Sequence, residues 1–454
     1  MNAPTYGYTL GFIQSMLAEK SGRASGWFKE LELGTAFQPI FSLPHKRAIG
    51  FDASVRGTDS QGKPVSAESL FGPVVNYSET SLLDLLSITT HVHNFFTRKP
   101  PQGLLFVNLH PEVFLDSEHT TDFIAELVRH YEVPRGSLAI DIPGSVLQDE
   151  RLSAPLDRYR KLGCLISVDD FGVDNSNLDT VWHTAPAVVK MGRSVIVDAT
   201  GDQRARQALP RAVSLLHEMG TLVVMEGIET EMEALMAIDS DADFATGFYF
   251  GSPHNDVGGY STPDSLLDAL WNTYKKRAPS RTKETAARAS LQDEPLHSSE
   301  IRKLPRASPA EISRYRDERR PFISAIQRIA ALVKSGDDFE VACSAFLALP
   351  GAIRCYMLDA DGKQVGTDVY SRHPPAAQGV DFNALITHAD ADWSRRDFFS
   401  RARNEPEVAQ VTRQYCSLSG HTRCVTFSVA TTVQRKPVVV CGDVDWTAHA
   451  HVRH

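Results

Sequence analysis

Between about residue 30 and residue 255, short continuous apolar runs alternate with stretches whose apolar positions recur every three to four residues. Continuous runs mark strands buried on both faces, and the three-to-four spacing marks one face of a helix. Strands are predicted at Ala36 to Leu43, Ala48 to Val55, Leu104 to Leu109, Leu138 to Ile142 and Leu165 to Val168. Further strands are predicted at Ala187 to Met191, Thr221 to Met225 and Phe244 to Phe250. Helical spacing separates them, as in Leu82 to Leu86, the set Phe123, Ile124, Leu127 and Val128, Ala208 to Met219, and Glu231 to Ile238. Strands alternating with helices over about 220 residues predict an α/β fold, a TIM-type (β/α)8 barrel rather than an open sheet. Only Pro44 to Arg47 separates the first two runs, which favours a hairpin there.

Beyond residue 255 the pattern changes. Ser261 to Lys276 has helical spacing, and Arg277 to Pro309 is rich in Arg, Lys, Ser, Ala and Pro, with helical potential in Lys283 to Leu291. This reads as a partly flexible linker whose basic residues are solvated. A helix resumes from Pro309 through Ile323, Ile326, Ile329 and Leu332, and another follows around Phe339 to Leu349. Strand signals at Ile353 to Leu358 and Gln364 to Val369 flank the turn Asp359-Ala360-Asp361-Gly362, and Arg423 to Thr432 and Pro437 to Val444 complete the pattern. The expected organisation is a barrel domain over 1–258 (core 30–255), a helical linker over 259–335 and a small α+β domain over 336–454.

Composition narrows the function. A chain of 454 residues with 42% hydrophobic and 23% charged residues is ordinary for a globular protein of two or three domains. A net charge of −9 argues against a broad basic surface, so neither DNA nor RNA is expected as a partner. The six cysteines (Cys164, Cys343, Cys355, Cys416, Cys424, Cys441) show no CxxC spacing, which favours reduced thiols. With no apolar run of membrane-spanning length and no signal-like N-terminus, a cytoplasmic protein without a membrane span is expected.

The candidate chemistry lies at strand ends. Asp52, Asn108, Asp141, Asp169, Asp170, Lys190 and Glu226 all fall within or just after an apolar run, positions that a barrel gathers on its catalytic rim. Hard cations such as Mg²⁺ take oxygen ligands, and paired metals activate water for phosphoester cleavage. Asp169 and Asp170 could bridge and flank such ions, with Asp52, Asn108, Asp141 and Glu226 completing the shells. Lys190 could orient or deprotonate the water, and Arg56 offers a fork of donors to a phosphate. Each residue also has a plainer reading: the Asp pair or Asn108 as a helix cap, Lys190 as a surface lysine, Glu226-Gly227 as a turn.

The motifs Phe37-Gln38-Pro39-Ile40, Gly50-Phe51-Asp52-Ala53-Ser54-Val55-Arg56-Gly57, Val107-Asn108-Leu109 and Asp169-Asp170-Phe171-Gly172 resemble those of EAL domains. So do Val189-Lys190, Met225-Glu226-Gly227-Ile228-Glu229-Thr230 and Gly247-Phe248-Tyr249-Phe250-Gly251-Ser252-Pro253. The resemblance implies a modified TIM barrel that binds cyclic di-GMP or, with Mg²⁺ or Mn²⁺, linearises it. It also implies metal ligands at Asp52, Asn108, Asp141, Asp169, Asp170 and Glu226, catalytic roles for Lys190, Asp170 and Glu229, and ligand contacts from Gln38, Arg56 and Pro253. Barrels of this family often pair, so a homodimer is expected.

Departures from the family pattern shape the expectation. The name-giving glutamate is Asp52, a second metal-binding glutamate is Asp141, and the glutamate that steadies the loop after the paired aspartates is Gly144. That loop reads Val173-Asp174-Asn175-Ser176-Asn177, and the usual glutamine before the last glycine is Thr246. Slow or absent hydrolysis with retained binding is the expectation, with a working phosphodiesterase and a ligand-free interaction protein as alternatives. Near the C-terminus, Trp393-Ser394-Arg395-Arg396-Asp397-Phe398-Phe399 resembles a signature of PAS/Cache-like sensor modules that follow some EAL domains. That resemblance implies that Trp393, Arg396 and Phe398 line a small pocket for an unknown ligand, whereas burial in a core or contact with a partner explains them equally.

Overall fold

The computed structural model describes residues 8–71, 77–97, 103–147, 149–172, 178–257, 264–277, 309–372, 390–417 and 423–447. The predicted helix at Lys283 to Leu291 and the loop 173–177 lie outside them. The chain divides at about residue 264 into two compact units.

The first unit contains β1 (Leu17–Lys20), β2 (Arg23–Phe28), β3 (Leu31–Ser42), β4 (Arg47–Thr58), β5 (Pro64–Val65) and β6 (Leu104–Asn108). It continues with β7 (Leu138–Pro143), β8 (Leu165–Phe171), β9 (Val188–Met191), β10 (Leu222–Met225) and β11 (Phe244–Thr246). Eight of these close a barrel in the order β3-β11-β10-β9-β8-β7-β6-β4, with β4 returning to β3. Strand β3 runs antiparallel to both β4 and β11, while the pairs from β4 through β6 to β11 are parallel. The predicted first hairpin is present, because a four-residue link cannot hold the crossover that a parallel pair requires.

All eight predicted barrel strands form, with displaced ends. Strand β8 runs on to Phe171, so both aspartates of the pair lie inside the strand. Strand β11 stops at Thr246, short of the predicted Phe250. Gly247 follows with φ 149°, and a Cβ there would stand 2.2 Å from the backbone N and O of Ile228. Two backbones cross at that point, and only glycine permits it. The pairing of β1 with β2 carries no signal of comparable strength in the sequence, since β1 is largely exposed and β2 alternates. Across the barrel, β9 and β10 are buried at every residue, which explains the unbroken apolar reading of β10 and leaves Lys190 as the one polar residue of β9.

The second unit is sheet-rich. Its strands are β12 (Ala352–Leu358), β13 (Gln364–Tyr370), β14 (Gln410–Val411), β15 (Tyr415–Cys416), β16 (Arg423–Val433) and β17 (Lys436–Asp445), in the order β13-β12-β17-β16-β14, with β15 also on β16. The turn between β12 and β13 is fixed by Asp359, whose carboxylate accepts the backbone N–H groups of Asp361 and Lys363. Helix Pro309–Ser335 contributes Phe322, Ile326, Ile329 and Val333 to the same core as Phe346, Phe427 and Trp446. The Phe322 ring stacks on Phe427 at 5.2 Å. Among the described residues, no helix is long and apolar enough to cross a membrane.

Candidate active site

Lys190 organises one half of the barrel rim. It lies on β9, fully buried, with Nζ 2.8 Å from Asp141 Oδ2 on β7, 3.0 Å from Asp52 Oδ2 on β4 and 3.3 Å from Glu226 Oε1 just past β10. The Phe106 ring lies 5.1 Å from the ammonium, an apolar wall that favours a cation. The reading of Lys190 as a surface lysine is therefore corrected: apolar strands carry it into the barrel. Burial alone would discharge it, but Asp141, Asp52, Glu226 and Asp169 together hold the ammonium well above its ordinary range. Burial in turn pushes the carboxyls up, Asp141 to about 7 and Asp52 and Glu226 in the same direction, against the pull of Lys190.

The paired aspartates form the other half. The register of β8 on β9 slips between Val168 and Phe171, a bulge that re-aims side chains at a strand's end. Asp170 takes φ 52°, an uncommon conformation for a residue with a side chain, and its N–H donates to Asp169 Oδ1 at 2.9 Å. One oxygen each from Asp169, Asp170 and Glu226 lie within 4.8 Å of one another. The helix-cap reading of the pair falls, because both residues belong to a strand and the carboxylate accepts from its own neighbour.

Asn108 ends β6, in register beside Asp141. It is not the helix cap either: His110 is, its Nδ1 accepting from Glu112 N at 3.4 Å. The peptide N–H of His110 donates to Asp84 Oδ2 at 2.5 Å. Asp84 is buried in helix Tyr77–Phe96 and its carboxyl is raised to about 7 by that burial, against the pull of the His110 N–H. Sequence reasoning missed Asp84, although one acid inside the apolar row Leu82 to Leu86 was a visible signal.

The remaining candidates are dispersed around the rim. Gln38 faces Asp52 across the β3–β4 pair and donates to Gly251 O at 3.3 Å. Arg56 is exposed, with Nη1 on Val55 O, and its charge acts on Asp52. Pro253 precedes His254, which exchanges two backbone hydrogen bonds with Phe37 on β3. Glu229 is exposed and paired with Arg193 at 2.8 Å, while Glu233 forms a capping box with Thr230 below it. Thr246 is buried and its hydroxyl donates to Pro39 O at 2.9 Å, which gives this residue a bond of its own between β11 and β3. Gly144 opens a single 3₁₀ turn after β7. A separate cavity of about 470 Å³, lined by Gln14, Glu19, His93, Phe96, His130 and Tyr131, holds none of these residues.

The donor set fits a hard divalent cation. Its donors are carboxylate and amide oxygens, and Oδ1 of Asp141 and Oδ1 of Asp52 are buried with no hydrogen-bond partner.

In the second unit, Trp393 and Phe398 are buried, Trp393 donating to Gln364 Oε1 at 3.1 Å and Phe398 meeting Tyr356 edge-on. Arg396 is also buried, and its N–H donates to Trp393 O. Sequence reasoning missed the charge network beside them. Arg354 Nε donates to Asp443 at 2.8 Å and its Nη1 faces Asp368 at 3.3 Å, while Thr426 and Tyr356 also donate to Asp443.

Residues 23–253 match the family model described as EAL domain. The chain is 28% identical over 200 residues to the probable cyclic di-GMP phosphodiesterase PdeB of Escherichia coli, a match covering 43% of this chain and 38% of that protein. It is also 28% identical over 159 residues to the cyclic di-GMP phosphodiesterase RocR of Pseudomonas aeruginosa, covering 34% and 39%. The chain therefore spans less than two fifths of either relative. The YkuI protein of Bacillus subtilis, with an EAL domain and solved in complex with c-di-GMP and calcium, aligns over 91% of this chain and 96% of its own at 19% identity and a TM-score of 0.49.

Proposed function

The chain belongs to the EAL-domain family, and from that premise we propose that it binds cyclic di-GMP, with slow or absent hydrolysis to linear pGpG. The observation that carries this reading is the engagement of the two shortened acids, Asp52 and Asp141, by the buried Lys190 at 3.0 and 2.8 Å. Metal–oxygen bonds near 2.1 Å tolerate little misplacement, and a 1 Å error can cost about a hundredfold in rate. Binding depends on other groups: Arg56 presents a guanidinium fork to a phosphate, and Gln38 an amide on the neighbouring strand.

The residues that would hold Mg²⁺ or Mn²⁺ are Asp169, Asp170, Asn108 and Glu226, with Asp52 and Asp141 behind them. A bound ion supplies Lewis acidity and an acidic water for phosphoester cleavage. Lys190 keeps its proton beside that cluster and serves to orient a water rather than to deprotonate it. Glu229, through Arg193, steadies the turn at Gly227 that follows Glu226. The intact grouping of Asp169, Asp170 and Glu226 favours a second reading, a working phosphodiesterase.

We extend the proposal to the rest of the chain: a barrel domain over 1–258 and a PAS/Cache-like domain over 336–454 in a cytoplasmic, dimeric protein, the expected linker over 259–335 being shortened at its end because helix Pro309–Ser335 packs into the core of the second unit. The buried state of Trp393, Arg396 and Phe398 favours core or partner roles there over ligand sensing. The deciding experiment incubates purified protein with cyclic di-GMP and Mg²⁺ or Mn²⁺ and measures binding and pGpG together. Binding with little product supports the proposal. Rapid turnover that Asp169→Asn abolishes establishes the enzyme instead, and absence of binding removes both nucleotide readings.

A further inference from the structure

We infer that the cavity of about 470 Å³ outside the barrel is a second ligand site, one that takes a small organic ammonium ion. The inference does not depend on the nucleotide reading proposed above. The walls of the cavity come from the β1–β2 hairpin and from the last turns of two helices, Tyr77–Phe96 and Ser117–His130. Each helix ends shortly before a barrel strand begins, β6 at Leu104 and β7 at Leu138. The cavity therefore sits toward strand starts, whereas the rim acids sit at strand ends. Its volume falls within the roughly 300–1,000 Å³ of small-molecule sites.

Charge selects the class of ligand. Among the described residues, Glu19 and Glu132 line the cavity and no Lys or Arg does. Both helices also bring the negative ends of their dipoles here. Burial lowers the pKa of His93, with Glu19 pulling the other way and His130 adding to the fall, so this ring brings no positive charge near neutral pH. An amide nitrogen can only donate, so His130 Nε2 accepts from Gln14 Nε2 at 2.8 Å and is unprotonated there. The walls are aromatic. Tyr131 meets both imidazoles edge-on, His93 at 5.7 Å and His130 at 4.7 Å between ring centroids, and Phe96 adds a fourth ring. The Tyr131 hydroxyl lies 3.3 Å from His93 Nδ1, and His93 Nε2 lies 4.0 Å from Glu19 Oε2, which sets a carboxylate beside the rings. Aromatic faces and carboxylates with no competing cation attract an alkylated ammonium, whose apolar body the rings cover. An anionic ligand would meet two like charges. Among the described residues, the three side chains that converge closely enough to hold a metal ion lie on the rim, not here.

The test titrates choline into the full-length protein, by isothermal calorimetry and ligand-observed nuclear magnetic resonance, beside dimethylbutanol, its uncharged carbon isostere. Saturable choline binding is expected, at least about tenfold tighter than that of the isostere. Absence of saturable choline binding overturns the inference, and so does equal affinity for the isostere, which marks an apolar cavity indifferent to charge. Glycine betaine adds a carboxylate to the same head group and is expected to bind more weakly than choline; equal or tighter binding overturns the assignment of charge. The double variant Glu19→Gln, Glu132→Gln removes two exposed carboxylates and keeps their size, so the fold should stand. It is expected to lose about tenfold or more in choline affinity. An unchanged Kd overturns the assignment to this cavity. Cyclic di-GMP binding, measured on the same variant, is expected to match the wild type, and its loss overturns the separation of the two sites. A wild-type chain that takes choline but no cyclic di-GMP sinks the proposed function and leaves this inference standing.

Discussion

At the residue scale, the proposed loss of hydrolysis turns on one methylene. Asp52 and Asp141 stop about 1.5 Å short of where a glutamate would end, and Lys190 closes the gap from the other side. Asp52→Glu is therefore expected to raise pGpG formation about tenfold or more, given the steep dependence of rate on alignment. A flat rate would instead direct attention to Gly144 and the loop after β8. Asp84 supports a prediction about pH. Its carboxyl is raised to about 7 by burial, so the folded state holds its proton more tightly than the unfolded chain does. Stability is lost as pH rises from about 4 to about 7, on the order of a few kcal/mol at most. Asp84→Asn keeps an acceptor for the His110 N–H and should flatten that slope in thermal melts recorded from pH 4 to pH 8. Asp84→Ala loses the acceptor and should cost about 1–3 kcal/mol, with weaker Mn²⁺ retention because the turn after Asn108 loosens.

At the scale of elements, two local irregularities build the rim. The bulge in β8 turns adjacent acids that an ordinary strand would point to opposite faces, so that both reach Glu226. The crossing of Gly247 over Ile228 fixes the segment that carries Glu226 and Glu229: Ile228 N donates to Thr246 O at 3.0 Å and Tyr249 N donates to Ile228 O at 2.9 Å. Gly247→Ala would drive a methyl into that backbone, and a loss of about 2–4 kcal/mol is expected from the clash and the strained φ. Chemical denaturation of the variant, followed by a Mn²⁺ titration of whatever remains folded, checks both consequences.

At the scale of the whole molecule, the chain holds two units with separate cores, and their stabilities should be separable. Arg354 compensates Asp443 and Asp368 inside the second unit. Arg354→Met would leave two buried carboxylates without their cation, a loss of about 3–5 kcal/mol. Calorimetry should show the transition of the second unit falling while that of the barrel stays. Cyclic di-GMP at 100 times its Kd should do the reverse, stabilising the barrel by about 2.7 kcal/mol. A ligand-induced shift in the other transition would contradict the proposed site.

The sequence by itself determined the barrel and the list of rim residues. Strands buried on both faces are largely apolar, so a polar residue within or just after such a run stands out, and the strands of one barrel bring such residues to one rim. Asp52, Asp141, Asp169, Asp170 and Glu226 were legible for that reason. Tertiary structure decided their partnerships. Whether Lys190 faced water or acids depended on three other strands, and whether the Asp pair capped a helix or lined a site depended on a one-residue slip of β8 on β9. Asp84 and Arg354 escaped the reading of sequence because a buried charge is recognised by what surrounds it, and those surroundings come from segments far away along the chain.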